Sequence, residues 1–180
     1  MGEIKSALEL AMEKSKKYVI SDEERERIRE KEILQKATGL FHRYKEGHLS
    51  QNEMMREIEK MDEKVRERVK EVLFSRWTDA LSFDSDPERP FGALESLKGR
   101  SFNDVRKKFE SLRSVYRNEI EAARQTVSLD LAETLKDEGI DGEAVEPNVE
   151  GSENWKERVE VVNRSHRERL KEIKDALKRL

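Results

Sequence analysis

The chain has 180 residues, with 37 Lys and Arg against 40 Asp and Glu, a net charge of −3, no cysteine and 34% hydrophobic residues. A charged fraction of 43%, against roughly 25% in an average globular chain, argues for thin amphipathic layers in place of a thick core. The missing cysteines exclude disulfides, thiolate nucleophiles and cysteine-based metal sites, and no apolar run approaches the roughly 18 residues of a membrane-spanning helix.

The opening MGEIKSALELAMEKSKK predicts a helix over 3–19. Its acids at Glu3, Glu9 and Glu13 and its broken apolar pattern are unlike a secretory or transit peptide, so a cytoplasmic protein with no membrane partner is expected. Ser21-Asp22-Glu23-Glu24 and Ser50-Gln51-Asn52-Glu53 have the capping-box order, in which the Ser oxygen accepts from one free amide and the Glu carboxylate from another. Gly47 and Gly139 fall just past periodic segments, where a left-handed C-cap suits glycine. These signals predict helices over 22–46, 51–82, 102–138 and 153–179, with a short helix around Ala93 to Leu97. No stretch alternates apolar and polar residues for long enough to form a strand. The expected architecture is all-α: an elongated antiparallel helical bundle made of a three-helix segment (1–83), a Pro and aromatic linker (84–101) and a helical hairpin (102–180).

Apolar residues recur along one side of each long helix. Met54, Ile58, Met61, Val65, Val69 and Val72 mark the first stripe, and Val105, Phe109, Leu112, Tyr116, Ile120, Ala123, Val127 and Leu131 the second. Trp155, Val159, Val162, His166, Leu170, Ile173 and Leu177 mark the third. Steps of four, three and four repeat at about 3.67 residues per turn, which favours straight or slightly right-handed packing over the left-handed supercoil of a strict heptad. At about 1.5 Å per residue the helix over 102–138 reaches roughly 55 Å, longer than the roughly 40 Å diameter of a compact chain of this length. Such narrow stripes bury little, so homodimerisation is expected to complete the core. Gly39, Thr126 and Ser128 are the weak points of the long helices.

Charge is segregated along the chain: residues 98–117 carry a net +5, 118–155 a net −9 and 156–180 a net +4. An antiparallel return across the acidic loop at 139–152 sets the basic start of the last helix against the acidic end of its neighbour, which selects that pairing over others.

Five of the six phenylalanines and Trp77 crowd into residues 74–109. They read either as a plug at the end of the bundle or as a docking surface, since aromatics and arginines anchor interfaces. The candidate interaction residues are Phe74, Arg76, Trp77, Phe83, Phe91 and Arg100. Lys98, Arg106, Lys107, Lys108 and Arg113 form a basic stretch with interleaved aromatics that suits phosphate contact and base stacking, although the isoelectric point near 5.8 lacks the basic footprint of a nucleic-acid binder.

Asp84 to Glu95 places acids at positions one, three, five and twelve of a calcium-type loop. Arg89 stands where that loop needs glycine, and Pro87 and Pro90 interrupt it, so no calcium site is assigned. None of the three histidines follows a Glu at the spacing of a helical di-iron site. His166 lies within an apolar stripe and reads as a core residue. No nucleophile elbow or phosphate-binding glycine loop occurs, and no catalytic residue, metal or cofactor is assigned.

Leu135 to Asn148, LKDEGIDGEAVEPN, is similar over 14 residues to the segment that joins the helices to the β-wing in the GrpE nucleotide exchange factors. A helical pattern runs on to Leu180 where those factors have strands, and their function is not carried over. The expected function is a non-enzymatic helical interaction or scaffold module, self-associating as a dimer. It would present the aromatic linker and the basic stretch to a protein partner, with the acidic loop as a second contact. The alternative is a nucleic-acid-associated accessory protein acting through residues 98–117.

Overall fold

The computed structural model describes residues 21–140, 142 and 145–180, so the helix predicted over 3–19 lies outside the described residues. The described chain folds into α1 (Asp22–Lys45), α2 (Gln51–Glu59), α3 (Glu63–Asp79), α4 (Glu88–Lys98), α5 (Asn103–Asp137) and α6 (Glu153–Lys178), with no strand among them. None of these helices is long and apolar enough to cross a membrane.

Serine hydroxyls open three of the helices. Ser21 accepts from the Glu24 amide before α1, and Ser152 accepts from the Trp155 amide before α6. Ser50 forms the complete capping box with Glu53 before α2. Each such cap stabilises its helix by about 1 kcal/mol. Gly47 and Gly139 follow the ends of α1 and α5 at φ 82° and 78°, a conformation that costs a side-chain-bearing residue far more. The last carbonyls of α1 gain a second cap from a distance: Arg89 on α4 donates to the carbonyls of Tyr44 and Lys45.

The single helix predicted over 51–82 is two helices, α2 and α3, separated by a turn at Lys60 to Asp62. The apolar spacing runs through this turn without interruption. Met54 and Ile58 from α2 and Val69 and Leu73 from α3 are all buried, with Met61 and Val65 packed at the edge of the same core. Asp62 restarts the chain in an extended conformation and the acidic Glu63 follows at the positive end of α3.

The stretch 84–101 is also more than a linker. From Glu88 onward it is helix α4, longer at its start than the short helix expected around Ala93 to Leu97, and it buries Pro90, Phe91, Ala93, Leu94 and Leu97. Pro90 is tolerated because it sits in the first turn, where a backbone N–H would have no intrahelical acceptor and no hydrogen bond is lost. Helix α1 packs on α3 at Trp77, whose ring lies 4.6 Å from Phe41 and 5.3 Å from Tyr44 between centroids. Full burial of each large side chain here contributes about 1.5–3 kcal/mol.

Helix α5 runs unbroken for 35 residues, about 52 Å at the standard rise. Thr126 does not break it because its hydroxyl donates back to the Ala122 carbonyl one turn earlier. Helix α6 returns antiparallel alongside. Arg100 donates to the Leu180 carbonyl at one end, while Arg158 stands 3.9 Å from Asp130 and Arg124 3.3 Å from Glu150 towards the other. The first half of this hairpin is fastened to the rest through Phe83, stacked 4.4 Å from Tyr116, and through Phe91, 5.8 Å from Phe109. Lys174 and Lys178 on α6 reach Asp79 at the end of α3.

Candidate interaction surface

The structure corrects the docking surface expected from the aromatic cluster. Phe74, Trp77, Phe83 and Phe91 are buried, as are Phe102 and Phe109. They fill the junction between the N-terminal helices and the hairpin, because α6 folds back over Phe83 and α5 covers Phe91. Of the six interaction candidates, Arg76 is half-buried and Arg100 exposed. Arg100 is held by the Leu180 carbonyl and lies over the Phe102 ring.

The basic stretch divides in the same way. Lys98 sits 4.7 Å above the Phe74 ring, and Arg106 lies over Phe91 with Glu88 and Glu95 within ion-pair distance. Arg113 donates to the Phe83 carbonyl. These three cations are structural pins. Lys107 and Lys108 remain exposed, with no ion partner among the described residues, and they border a shallow groove floored by Leu112 and Val115, with Arg169 of α6 on its rim.

The likeness of Asp84 to Glu95 to a calcium loop does not survive folding. Its second half is helical, Arg89 is committed to the end of α1, and Asp86 accepts from the Glu88 amide. Among the described residues no group of three or more acidic or histidine side chains stands close enough to hold a metal ion.

His166 is 2% exposed, in the seam between α5 and α6. Its ring meets Phe83 and Tyr116 edge-on at 6.0 and 5.7 Å. Nε2–H donates to Glu119 at 2.9 Å, and Nδ1 has no partner among the described residues. Nearby, the Tyr116 hydroxyl donates to Asn163 at 3.0 Å.

Burial, reinforced by repulsion from Asp84, raises the Tyr116 phenol above its ordinary value of 10.0. The stability gained by keeping it protonated is complete below the ordinary value and is lost as pH rises through the raised one. Lys174 acts in the opposite sense, since burial pushes its ammonium below the usual 10.5 and the unfolded chain then binds more protons over that interval. Comparison of wild type with Tyr116→Phe isolates the phenol, because Lys174 is common to both. Thermal melts taken on either side of the ordinary tyrosine value should show the variant losing less stability on the alkaline side. Equal losses would contradict the assignment.

Beyond the junction the hairpin becomes a two-helix arm. Of the 35 residues of α5 only Phe109, Tyr116 and Val127 are buried, and of the 26 of α6 only His166 and Leu177. By contrast, α4 buries five of its 11. Val115, Ala122 and Leu129 recur every seven residues on α5, between about 100° and 160° around the helix from the buried Phe109, Tyr116 and Val127. Leu129 is 72% exposed, Val115 43%, and Val161 on the neighbouring helix 64%. Lys107 and Lys108 lie at one end of this stripe, and Asp130, Glu133, Asp137 and Glu138, with Lys136 among them, at the other. The stripe escaped the sequence reading, although its seven-residue spacing beside the four-three-four pattern was a usable signal. No protein family, curated protein or solved structure matches the chain.

Proposed function

We propose that the protein is a non-enzymatic helical interaction module that works in the cytoplasm, associates with itself, and makes its contacts through the arm of α5 and α6 and not through the aromatic cluster. The observation that carries this reading is the solvent-facing apolar stripe on an arm whose own pairing buries little. Isolated exposed apolar residues are ordinary. Three at one helical spacing form a face suited to another helix. Among the described residues Val115, Ala122 and Leu129 of α5 and Val161 of α6 are exposed, and a second pair of helices would convert the arm into a four-helix bundle.

Size-exclusion chromatography with light scattering tests self-association. The expected mass is twice the 21.2 kDa of the chain, declining toward one chain on dilution. A mass of one chain throughout the micromolar range would overturn this part of the reading.

A further inference from the structure

We infer that the arm pairs with the arm of a second copy of this chain, antiparallel, through the stripe Val115, Ala122 and Leu129, with the two-fold axis passing beside Ala122. The inference rests on the self-association proposed above and assigns its surface and direction.

Two features of α5 select this arrangement. Val115 and Leu129 stand at equal distances on either side of Ala122. A two-fold axis at Ala122 therefore brings Val115 of each copy onto Leu129 of the other, and the small alanine lets the helices approach closely where they cross the axis. Isologous contact of this kind satisfies the same patch twice.

The second feature is charge. The basic end of the arm carries Lys107 and Lys108, both exposed and without an ion partner among the described residues, and the flanking stretch 98–117 has a net charge of +5. The acidic end carries Glu133 and Asp137, also exposed, within a stretch of net −9. In the antiparallel dimer each basic end lies on an acidic end, at both ends of the interface by symmetry. With the axis at Ala122, Lys107 faces Asp137 of the other copy, and Lys108 stands opposite Lys136 with Glu133 one turn away; Arg124 and Arg158, beside Glu150 and Asp130, are the further cations of the acidic end and leave its charge net negative. A parallel pairing would place acid on acid and base on base, which repels along the whole arm. The stripe supplies the contact and the charges supply its direction.

The absence of native cysteine allows a clean test, since any introduced thiol is unique. Ala122→Cys, Val115→Cys and Leu129→Cys are prepared separately in the full chain, and each is exposed to mild oxidation. Ala122→Cys should form a disulfide-linked dimer by itself. Val115→Cys should not, because its two copies lie about 21 Å apart along the helix axis in the antiparallel arrangement. A mixture of Val115→Cys and Leu129→Cys should cross-link where each alone does not. Self-cross-linking of Val115→Cys as readily as Ala122→Cys would mean a parallel pair and overturn the direction. A wild-type dimer in which none of the three cross-links would overturn the surface while leaving self-association standing. A wild-type monomer, with no cross-link, would remove both.

Discussion

Replacing Phe91 by alanine should lower the unfolding free energy by about 3–5 kcal/mol, the range for deleting a fully buried aromatic ring. Phe91 has no exposed surface, meets Phe109 edge-on at 5.8 Å and carries the Arg106 guanidinium over its face at 5.3 Å. Its loss removes the contact that ties α4 to α5 and leaves a void that neither helix can close, because α4 is also held by Arg89 and by buried Leu94 and Leu97. Leu129→Ala, on the exposed stripe, should by contrast stay within about 0.5 kcal/mol of wild type when the protein is monomeric. Urea unfolding of both variants decides the matter. If the aromatic cluster were a docking surface, Phe91→Ala would leave the unfolding midpoint in place, and that result would sink its assignment to the core.

At His166 a similar contrast separates packing from hydrogen bonding. His166→Ala should cost about 2–4 kcal/mol, because it empties the space between Phe83 and Tyr116 at the point where α6 crosses the junction. His166→Leu should recover most of that loss. Leucine refills the space and removes Nδ1, a buried polar atom without a partner among the described residues. The abandoned partner, Glu119, has a side chain that is 47% exposed, so its carboxylate returns to water at little cost. Chemical denaturation of the two variants provides the measurement. Equal damage from Ala and Leu would show that the bond to Glu119, and not the ring's volume, holds the seam.

Much of this fold was legible because its local chemistry is explicit. The hydroxyls of Ser21 and Ser50 begin helices where the capping order places them, Gly47 and Gly139 follow helix ends, and the charge pattern of residues 118–180 pairs α5 with α6. His166 is buried, as its place in an apolar stripe implies. The turn at Lys60 to Asp62 was not legible, because Met54, Ile58, Met61 and Val65 keep helical spacing across it and no glycine or proline marks it. The start of α4 was hidden for the opposite reason: Pro87 and Pro90 read as interruptions although both stand where a helix tolerates them. The aromatic concentration was visible, but its burial depends on α6 returning across the junction from far along the chain. Periodicity measures which residues share a side of a helix. It does not say whether another helix covers that side, and so it could not separate Phe91 from a surface anchor or identify the uncovered face at Leu129.

The continuity of α5 joins the two halves of this protein mechanically. With no interruption from Asn103 to Asp137, a push at the far tip is carried along one stiff rod to the rings at Phe109 and Phe91, without a hinge to absorb it. Whatever grips the tip thereby also sets the orientation of the folded body at the other end, as a handle sets the angle of a blade.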